Sequence, residues 1–338
     1  MRPLLATLCL LATSACATKI GAHSLPEVRA SYNEAVAQSS REQMLLNVVR
    51  LRYNHSVQFL EPVSVVTTYS FTRSGGIAVS GNLNGENSFS PIAGSSLSGG
   101  LSATETPTIT YSPLSGESFV RQLAAPLPRD LVLLLLQGGW PADLILPFTV
   151  HRIGTASAPV IAAADDTSRF ARIVDGLAAL QAQGELVIEL EGEQGPRLGL
   201  GDSQVAAGLA TNLGLPPDAR VFTVSGHLVE REPTDVPLLT RSMMDAMFYL
   251  SHGVEVDDDD LAARDLGVPL PVTDPLLTIH SGNQAPAEAT VAVPFRGRWY
   301  WIDETDRSSK SVFGTLSTLF AVMSAPSEVA TPLLTLPR

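Results

Sequence analysis

The residues that most often do chemistry in enzymes are not grouped in this 338-residue chain. No two histidines have the i, i+4 spacing that turns two imidazoles toward one zinc ion from a helix; the six are His23, His55, His151, His227, His252 and His280. The sequence also lacks the glycine-rich phosphate loops and the serine elbow of common enzyme classes. We therefore predict a protein that is not an enzyme and has no cofactor. The alternative is an enzyme whose catalytic residues come together only on folding.

Four consecutive aspartates occupy residues 257–260. Calcium takes several carboxylate oxygens, but it takes them from side chains spaced along a loop that turns at a glycine. Successive side chains do not converge, and neither the spacing nor the glycine is present here. Acidic residues are also favourable in the first turn of a helix because of the helix dipole. We interpret the run as a helix start and predict no metal, with a calcium site as the alternative.

Two tryptophans, Trp299 and Trp301, stand two residues apart near the carboxyl end. On a strand they share a face, because side chains alternate between the two sides. A pair of indoles on one face can stack against sugar rings, and it can equally anchor the edge of a core. We therefore predict a candidate aromatic binding platform at Trp299 and Trp301, with core packing as the alternative.

Cys16 is the residue with the clearest covalent chemistry. It follows a basic Arg2, an apolar run at residues 4–12 and three small residues, which is the plan of a signal peptide. The run is too short to cross a bilayer, which takes about 20 apolar residues. The segment resembles the lipobox of bacterial lipoproteins, although Thr13 stands where that family usually has leucine. We predict a signal peptide at residues 1–15 and lipidation of Cys16, with an ordinary secretory signal as the alternative.

Cysteine usage agrees with this interpretation. The other cysteine, Cys9, lies inside the predicted signal, so cleavage leaves no thiol for a disulfide. Residue 17 is alanine and not aspartate, which by resemblance to lipoproteins of two-membrane bacteria implies sorting to the outer membrane, facing the periplasm. Residues 16–25 then form a lipidated tether.

Charge narrows the range of partners. The chain has 22 basic and 34 acidic residues, a net charge of −12, and no basic cluster. This balance argues against nucleic acid and against adhesion to anionic lipid by charge alone. The predicted partners are the membrane, through the lipid, and either envelope proteins or further copies of the chain.

Patterning predicts an α+β fold with an N-terminal long helix, a long β-hairpin and a helical lobe, followed by a mixed α+β lobe. Residues 26–52 carry apolar side chains at helical spacing. Residues 26–154 hold this helix, the hairpin and the helical lobe. An alanine-rich stretch follows as a linker, and residues 165–338 mix helices and strands without a regular βαβ order.

Residues 63–113 alternate apolar and polar side chains, which is typical of strands with one apolar face. Their middle is rich in Gly, Asn, Ser and Pro, so the simplest structure is an antiparallel hairpin with a loop at its centre. The apolar positions are candidate contacts with membrane or a partner: Tyr69, Phe71, Ile77, Val79, Phe89, Leu97, Leu101 and Tyr111.

The length of the hairpin arms allows a membrane role. With Phe89 at the tip, Arg73 faces Glu105, and about nine residues beyond this pair remain in each arm, near the length of a tilted membrane strand. Two strands alone leave backbone groups unpaired in lipid, so neighbouring subunits would have to supply more. The alternatives are a hairpin that covers a soluble sheet and a partly disordered insert.

Four stretches resemble an uncharacterised family of bacterial envelope lipoproteins: YNEAVAQSSREQMLLNVVRLRY, PTITYSPLSGESFVRQL, RSMMDAMFYLSHGVEV and FRGRWYWIDETDRSSKSVF. The resemblance covers most of the mature chain and implies an envelope location without an activity. The preferred function is a non-enzymatic outer-membrane lipoprotein with a structural or assembly role. The alternatives are a subunit of an oligomeric envelope pore or secretion complex that uses the hairpin, and an envelope hydrolase.

Overall fold

The computed structural model describes residues 25–79, 95–158, 164–191, 195–226, 232–256 and 275–324. Cys16, with the predicted signal and most of the tether, lies outside these residues, and so do Phe89 and the aspartate run. Within the described ranges the fold is α+β, as predicted, with eight helices and three sheets.

The amino-terminal half of the chain contains mainly helices, together with two long strands and two short ones. Its helices are α1 (Leu25–Arg52), α2 (Glu117–Ala124), α3 (Arg129–Gln137), α4 (Ala142–Thr149) and α5 (Ala164–Gln183). Its strands are β1 (Phe59–Val79), β2 (Ser95–Leu114), β3 (Val150–Ile153) and β4 (Ala156–Ser157). The prediction of a long helix at residues 26–52 is confirmed by α1.

In its described ranges, the carboxyl-terminal half contains short strands and three helices. The strands are β5 (Leu186–Glu189), β6 (Arg197–Leu200), β7 (Val221–Ser225), β8 (Asp235–Thr240), β9 (His280–Gly282), β10 (Val291–Phe295) and β11 (Arg298–Ile302). The helices are α6 (Gln204–Leu213), α7 (Met243–Ser251) and α8 (Arg307–Ser324).

Local sequence explains where two of these helices begin and end. Ser203 caps α6 by accepting a hydrogen bond from the backbone N–H of Ala206, and Gly214 ends it in the left-handed conformation with φ +82°. Ser242 and Asp245 form a reciprocal capping box at the start of α7. These caps satisfy backbone groups that a helix end otherwise leaves unpaired.

The larger sheet runs in the order β4-β3-β8-β7-β6-β5, with β7 and β8 parallel and the other pairs antiparallel. Helix α5 packs against α4 and α6 beside this sheet. Strand β3 precedes the predicted division at residues 155–164 and β4 lies within it, yet both pair into the sheet that β5 to β8 form after it. Strands β3 and β4 are far in sequence from β8, but the pairing of β3 with β8 makes them part of the same sheet.

The smaller sheet runs in the order β10-β11-β9 and is antiparallel. Helix α1 packs against β10 and α7. Tyr300 and Ile302 are buried on one side of this sheet, and the Tyr300 hydroxyl lies 2.7 Å from the hydroxyl of Tyr53 at the end of α1. The sheet therefore has an inner face toward the core and an opposite, outer face.

The hairpin forms a compact unit of its own, Leu60–Leu114, distinct from the body formed by the rest of the chain. We call it the hairpin unit. Strands β1 and β2 have 21 and 20 residues and make a two-stranded sheet, which begins and ends slightly beyond the predicted 63–113. Of the candidate contact residues, Tyr69, Phe71, Ile77 and Val79 fall on β1, and Leu97, Leu101 and Tyr111 fall on β2.

No helix in the described ranges is long and apolar enough to cross a membrane.

Candidate functional site

The outer face of the smaller sheet carries both tryptophans. Along β11 the buried side chains of Tyr300 and Ile302 alternate with those of Trp299 and Trp301, which are partly exposed. The two indoles therefore lie on the same face of the strand, because neighbouring side chains point to opposite sides. In this register Trp299 lies opposite Gly282 on β9, and Trp301 lies opposite His280.

Gly282 lets the Trp301 indole lie low on the sheet. A Cβ atom at Gly282 would stand only 3.2 Å from Cη2 of Trp301, so the ring rests directly over the glycine.

A two-residue turn joins β10 to β11, with Arg296 at φ 52° and Gly297 at φ 81°. Positive φ at both positions matches the twist of a tight hairpin. The turn therefore fixes the register in which β11 pairs with β10.

Glu255 holds the imidazole of His280. Its Oε1 lies 2.8 Å from Nδ1 of His280, and its Oε2 accepts a hydrogen bond of 3.0 Å from the backbone N–H of Ser281. The segment around Glu255 is itself fixed, because Val254 and Ile279 form a parallel bridge. With Nδ1 facing the carboxylate, Nε2 is the ring nitrogen left to meet a ligand. The ring centre lies 5.8 Å from that of Trp301, so the imidazole extends the aromatic surface.

The turn after β11 places two more carboxylates near His280. Asp303 accepts hydrogen bonds from the hydroxyl and the backbone N–H of Thr305, at 2.6 and 2.7 Å. These two bonds, and secondarily the field of His280, hold the pKa of Asp303 below its usual value. A hydrogen bond from Ser309, which Asp306 caps at the start of α8, likewise lowers the pKa of Asp306. Both groups are therefore ionised at neutral pH.

Glu304 is a further carboxylate of this turn, and its charge is offset by the ammonium of Lys310. Its carboxylate accepts hydrogen bonds from the ammonium of Lys310 and from the hydroxyl of Thr290, which lower its pKa in that order. Lys310 also donates to the backbone carbonyl of Glu304 at 3.0 Å. Glu304 therefore stabilises the turn, whereas Glu255 and Asp303 face His280.

We call Trp299, Trp301, Gly282 and His280 the platform, and Glu255 and Asp303 its acidic rim. The platform offers two flat aromatic surfaces, and the rim offers carboxylate oxygens that accept hydrogen bonds. Among the described residues, no group of three or more His, Cys, Asp or Glu side chains is arranged to hold a metal ion. The arrangement is therefore suited to binding a polar ligand that also has an apolar face.

A second polar cluster lies inside the body, around Arg241 between β8 and α7. Arg241 is only 4% exposed, and its guanidinium carbon lies 5.0 Å from the ring centre of Tyr249. Its Nε and Nη2 atoms meet no hydrogen-bond acceptor among the described residues. Burial lowers the pKa of Arg241 and raises that of Tyr249. The backbone of Arg241 is bonded to Thr149, so this cluster ties α4 to β8 and α7.

Two cavities in the body are too small for a substrate. One of about 30 Å³ is apolar and lies between helices α3 to α6 and the larger sheet. The other, of about 10 Å³, lies beside Tyr249 and Leu277. These volumes hold one or two water molecules, whereas ligand pockets measure hundreds of Å³. The partly exposed platform is therefore a better candidate site than either of these two cavities.

The sequence singled out Trp299 and Trp301 but neither His280 nor Glu255 as their neighbours. Glu255 and His280 are 25 residues apart, and no short spacing in the sequence links them. Their proximity depends on the pairing of β9 with β11, which no local pattern indicates. Arg241 stands between the apolar stretches of β8 and α7, and no local pattern there indicates that its guanidinium is buried.

No protein-family model, no curated protein and no solved structure matches the chain.

Proposed function

We propose that the chain is a non-enzymatic lipoprotein of the outer membrane with a structural or assembly role, anchored through Cys16 and joined to other subunits through the hairpin unit. The hairpin unit carries this proposal. Its strands of 21 and 20 residues pair with each other, and no third strand pairs with them in the part of the chain that the structure describes.

Unpaired strand edges favour association. At about 3.3 Å per residue, each strand extends for about 70 Å. Both outer edges then present backbone N–H and C=O groups that another strand can pair with. A two-stranded sheet is at best marginally stable in water by itself, so pairing with strands of other subunits would stabilise it. Further copies of this chain supply matching strands.

The same unit supports a second candidate, a subunit of an oligomeric envelope pore or secretion complex. Strands of about 9–11 residues suffice to cross a bilayer, and both β1 and β2 are longer. Their sequence alternates apolar and polar residues, as strands between lipid and water do. Leakage of a dye from vesicles carrying the lipidated protein would distinguish this role from assembly alone.

The assembly role is tested by the oligomeric state of the lipidated protein in detergent. We expect a defined oligomer in sedimentation experiments. Thr67 and Thr68 are a matched pair on β1, because adjacent residues direct their N–H groups to opposite edges. Of the variants Thr67→Pro and Thr68→Pro, one loses the N–H that points outward from the hairpin, because proline has no N–H. That variant should lose the oligomer but keep its β structure in circular dichroism. A strictly monomeric protein would refute the assembly role.

The anchor is tested separately by Cys16→Ser in a bacterial host that acylates lipoproteins. We expect loss of fatty-acid labelling and release of the protein from the outer-membrane fraction. Cys9→Ser is the matched control and should leave both unchanged, because Cys9 lies within the predicted signal. Labelling that persists in Cys16→Ser would show the anchor to be wrong while leaving the assembly result intact.

A further inference from the structure

The two tryptophans of the platform are neither fully buried nor fully exposed. Tyr300 and Ile302 already fill the inner side of β11, where they are buried. Trp299 and Trp301 lie on the other side, and each remains partly exposed. Part of each large ring thus stays in contact with water, which favours a ligand that can cover it.

We propose that the platform binds a chain of uncharged sugar rings, which stack on Trp299 and Trp301 while their hydroxyls bond to His280 and the acidic rim. A sugar ring has a face of C–H groups and an edge of hydroxyls. The face of an indole is electron-rich and attracts C–H groups, and carboxylates are strong acceptors for hydroxyl protons. The platform and its rim provide both kinds of contact side by side.

Spacing favours an oligosaccharide over a single sugar. Residues two apart on a strand are separated by about 7 Å, so the two indoles form a surface longer than one ring. The His280 imidazole, 5.8 Å from the Trp301 ring, continues that surface across to β9. Successive sugar units can therefore occupy adjacent aromatic groups.

Charge selects against anionic ligands. Glu255 and Asp303 lie beside His280, and the hydrogen bonds from Thr305 keep Asp303 ionised. Negative groups at close range repel sulfates, phosphates and uronic acids. Nucleic acids and anionic lipid headgroups are disfavoured for the same reason. The ligand that fits is uncharged.

The site is ordered before a ligand arrives. The Trp301 ring rests on Gly282, and the carboxylate of Glu255 fixes both the His280 ring and the Ser281 backbone. Binding therefore needs little loss of side-chain freedom, which is one of the main costs of association.

Binding can be followed by tryptophan fluorescence of the full-length lipidated protein, in a detergent without a sugar headgroup. The chain has three tryptophans, so Trp140→Phe leaves only the two on the platform as reporters. The probe is a β-1,4-linked tetramer of N-acetylglucosamine, and a sulfated oligosaccharide serves as the anionic comparison. We expect a saturable change with the tetramer and an affinity at least about tenfold lower for the sulfated chain.

Calorimetry on variants in the wild-type background then identifies the residues responsible. Trp299→Ala and Trp301→Ala should each weaken binding of the tetramer by about tenfold or more. Glu255→Gln, which still accepts from Ser281, should weaken it by a smaller factor. Val187→Ala alters an exposed side chain on the other sheet and should leave affinity unchanged.

Two results would overturn the proposal: no binding of the tetramer by the wild-type protein, or unchanged affinity in both alanine variants. If either alanine variant fails to fold, Trp299→Phe and Trp301→Phe replace it, and thermal unfolding verifies their folding. Because phenylalanine has a smaller ring than tryptophan, these variants should bind the tetramer more weakly than the wild-type protein but still measurably. Affinity equal to wild type in both phenylalanine variants, together with unchanged binding in Glu255→Gln, would equally reject the site.

Discussion

His151 lies within the field of the buried Arg241 cluster. Burial is the main cause that lowers its pKa from the ordinary value of 6.5, and the charge of Arg241 lowers it further, against an opposing effect of Asp245. The folded protein therefore resists protonation of this imidazole, whereas the unfolded chain accepts the proton readily. Linkage between proton binding and folding turns this difference into a dependence of stability on pH.

The direction of that dependence follows from the lowered pKa. Above pH 6.5 both states hold His151 neutral, so its contribution to stability is fully present. As pH falls below 6.5, the unfolded state binds the proton first and the free energy of unfolding declines. We expect this decline between pH 7 and pH 5 to be smaller in His151→Gln, measured by urea unfolding across that range. Equal slopes in the two proteins would contradict the prediction.

Asn47 shows how one element fixes the start of the next. Its side chain is fully buried in α1, where Nδ2 donates to the carbonyl of Gln58 at 2.7 Å and Oδ1 accepts from the N–H of Gln58 at 2.9 Å. Both backbone groups of Gln58, just before β1, are therefore paired by a single side chain. Beside it in sequence, Phe59 stacks on Phe320 with ring centres 4.2 Å apart.

Asn47→Ala removes both hydrogen bonds to Gln58 and leaves the two backbone groups of Gln58 without these partners. It also removes the bond of 3.2 Å that Nη1 of Arg50 donates to Oδ1 of Asn47. We expect the free energy of unfolding to fall by about 2 kcal/mol, since each bond to Gln58 contributes roughly 1 kcal/mol. Ser40→Ala, at an exposed position of the same helix, is the control and should change stability by less than about 0.5 kcal/mol. Chemical denaturation provides both values, and a similar small loss in both variants would contradict this role.

Elements with a strong local pattern were predictable, and their assembly was not. Apolar spacing indicated α1, and the alternation of apolar and polar residues indicated the two strands of the hairpin unit. The larger sheet was not foreseen, because β7 pairs in parallel with β8 and β8 pairs with the earlier β3. Such pairings depend on packing between distant segments, which periodicity does not encode. The pair of Glu255 and His280 was missed for the same reason, whereas the shared face of Trp299 and Trp301 follows from period two alone.

At the scale of the whole molecule, the chain consists of two compact units with different sources of stability. The body has its own apolar core, and that core includes Phe59, whose ring contacts both Phe119 and Phe320. The hairpin unit is a two-stranded sheet, an arrangement that is marginal in water without further pairing. The two units should therefore respond differently when the hairpin is removed.

Replacement of residues 60–114 by a short Gly/Ser linker tests this division. A flexible linker adds little closure cost, because that cost grows only slowly with length. Phe59 is retained, so its contacts in the body core are kept. We expect the shortened protein to unfold cooperatively at nearly the wild-type temperature, while sedimentation shows that the oligomer is lost.

The control for this replacement is Tyr111→Ser, which changes one side chain that is 44% exposed on β2. It leaves the backbone of both strands intact, so edge pairing should keep the oligomer together. If the shortened protein instead lost cooperative unfolding, the body would depend on the hairpin unit for its own stability. If it stayed oligomeric, the body rather than the strand edges would hold the subunits together. Thermal unfolding measures the stability of the body and sedimentation measures the oligomer, so either prediction can fail while the other holds.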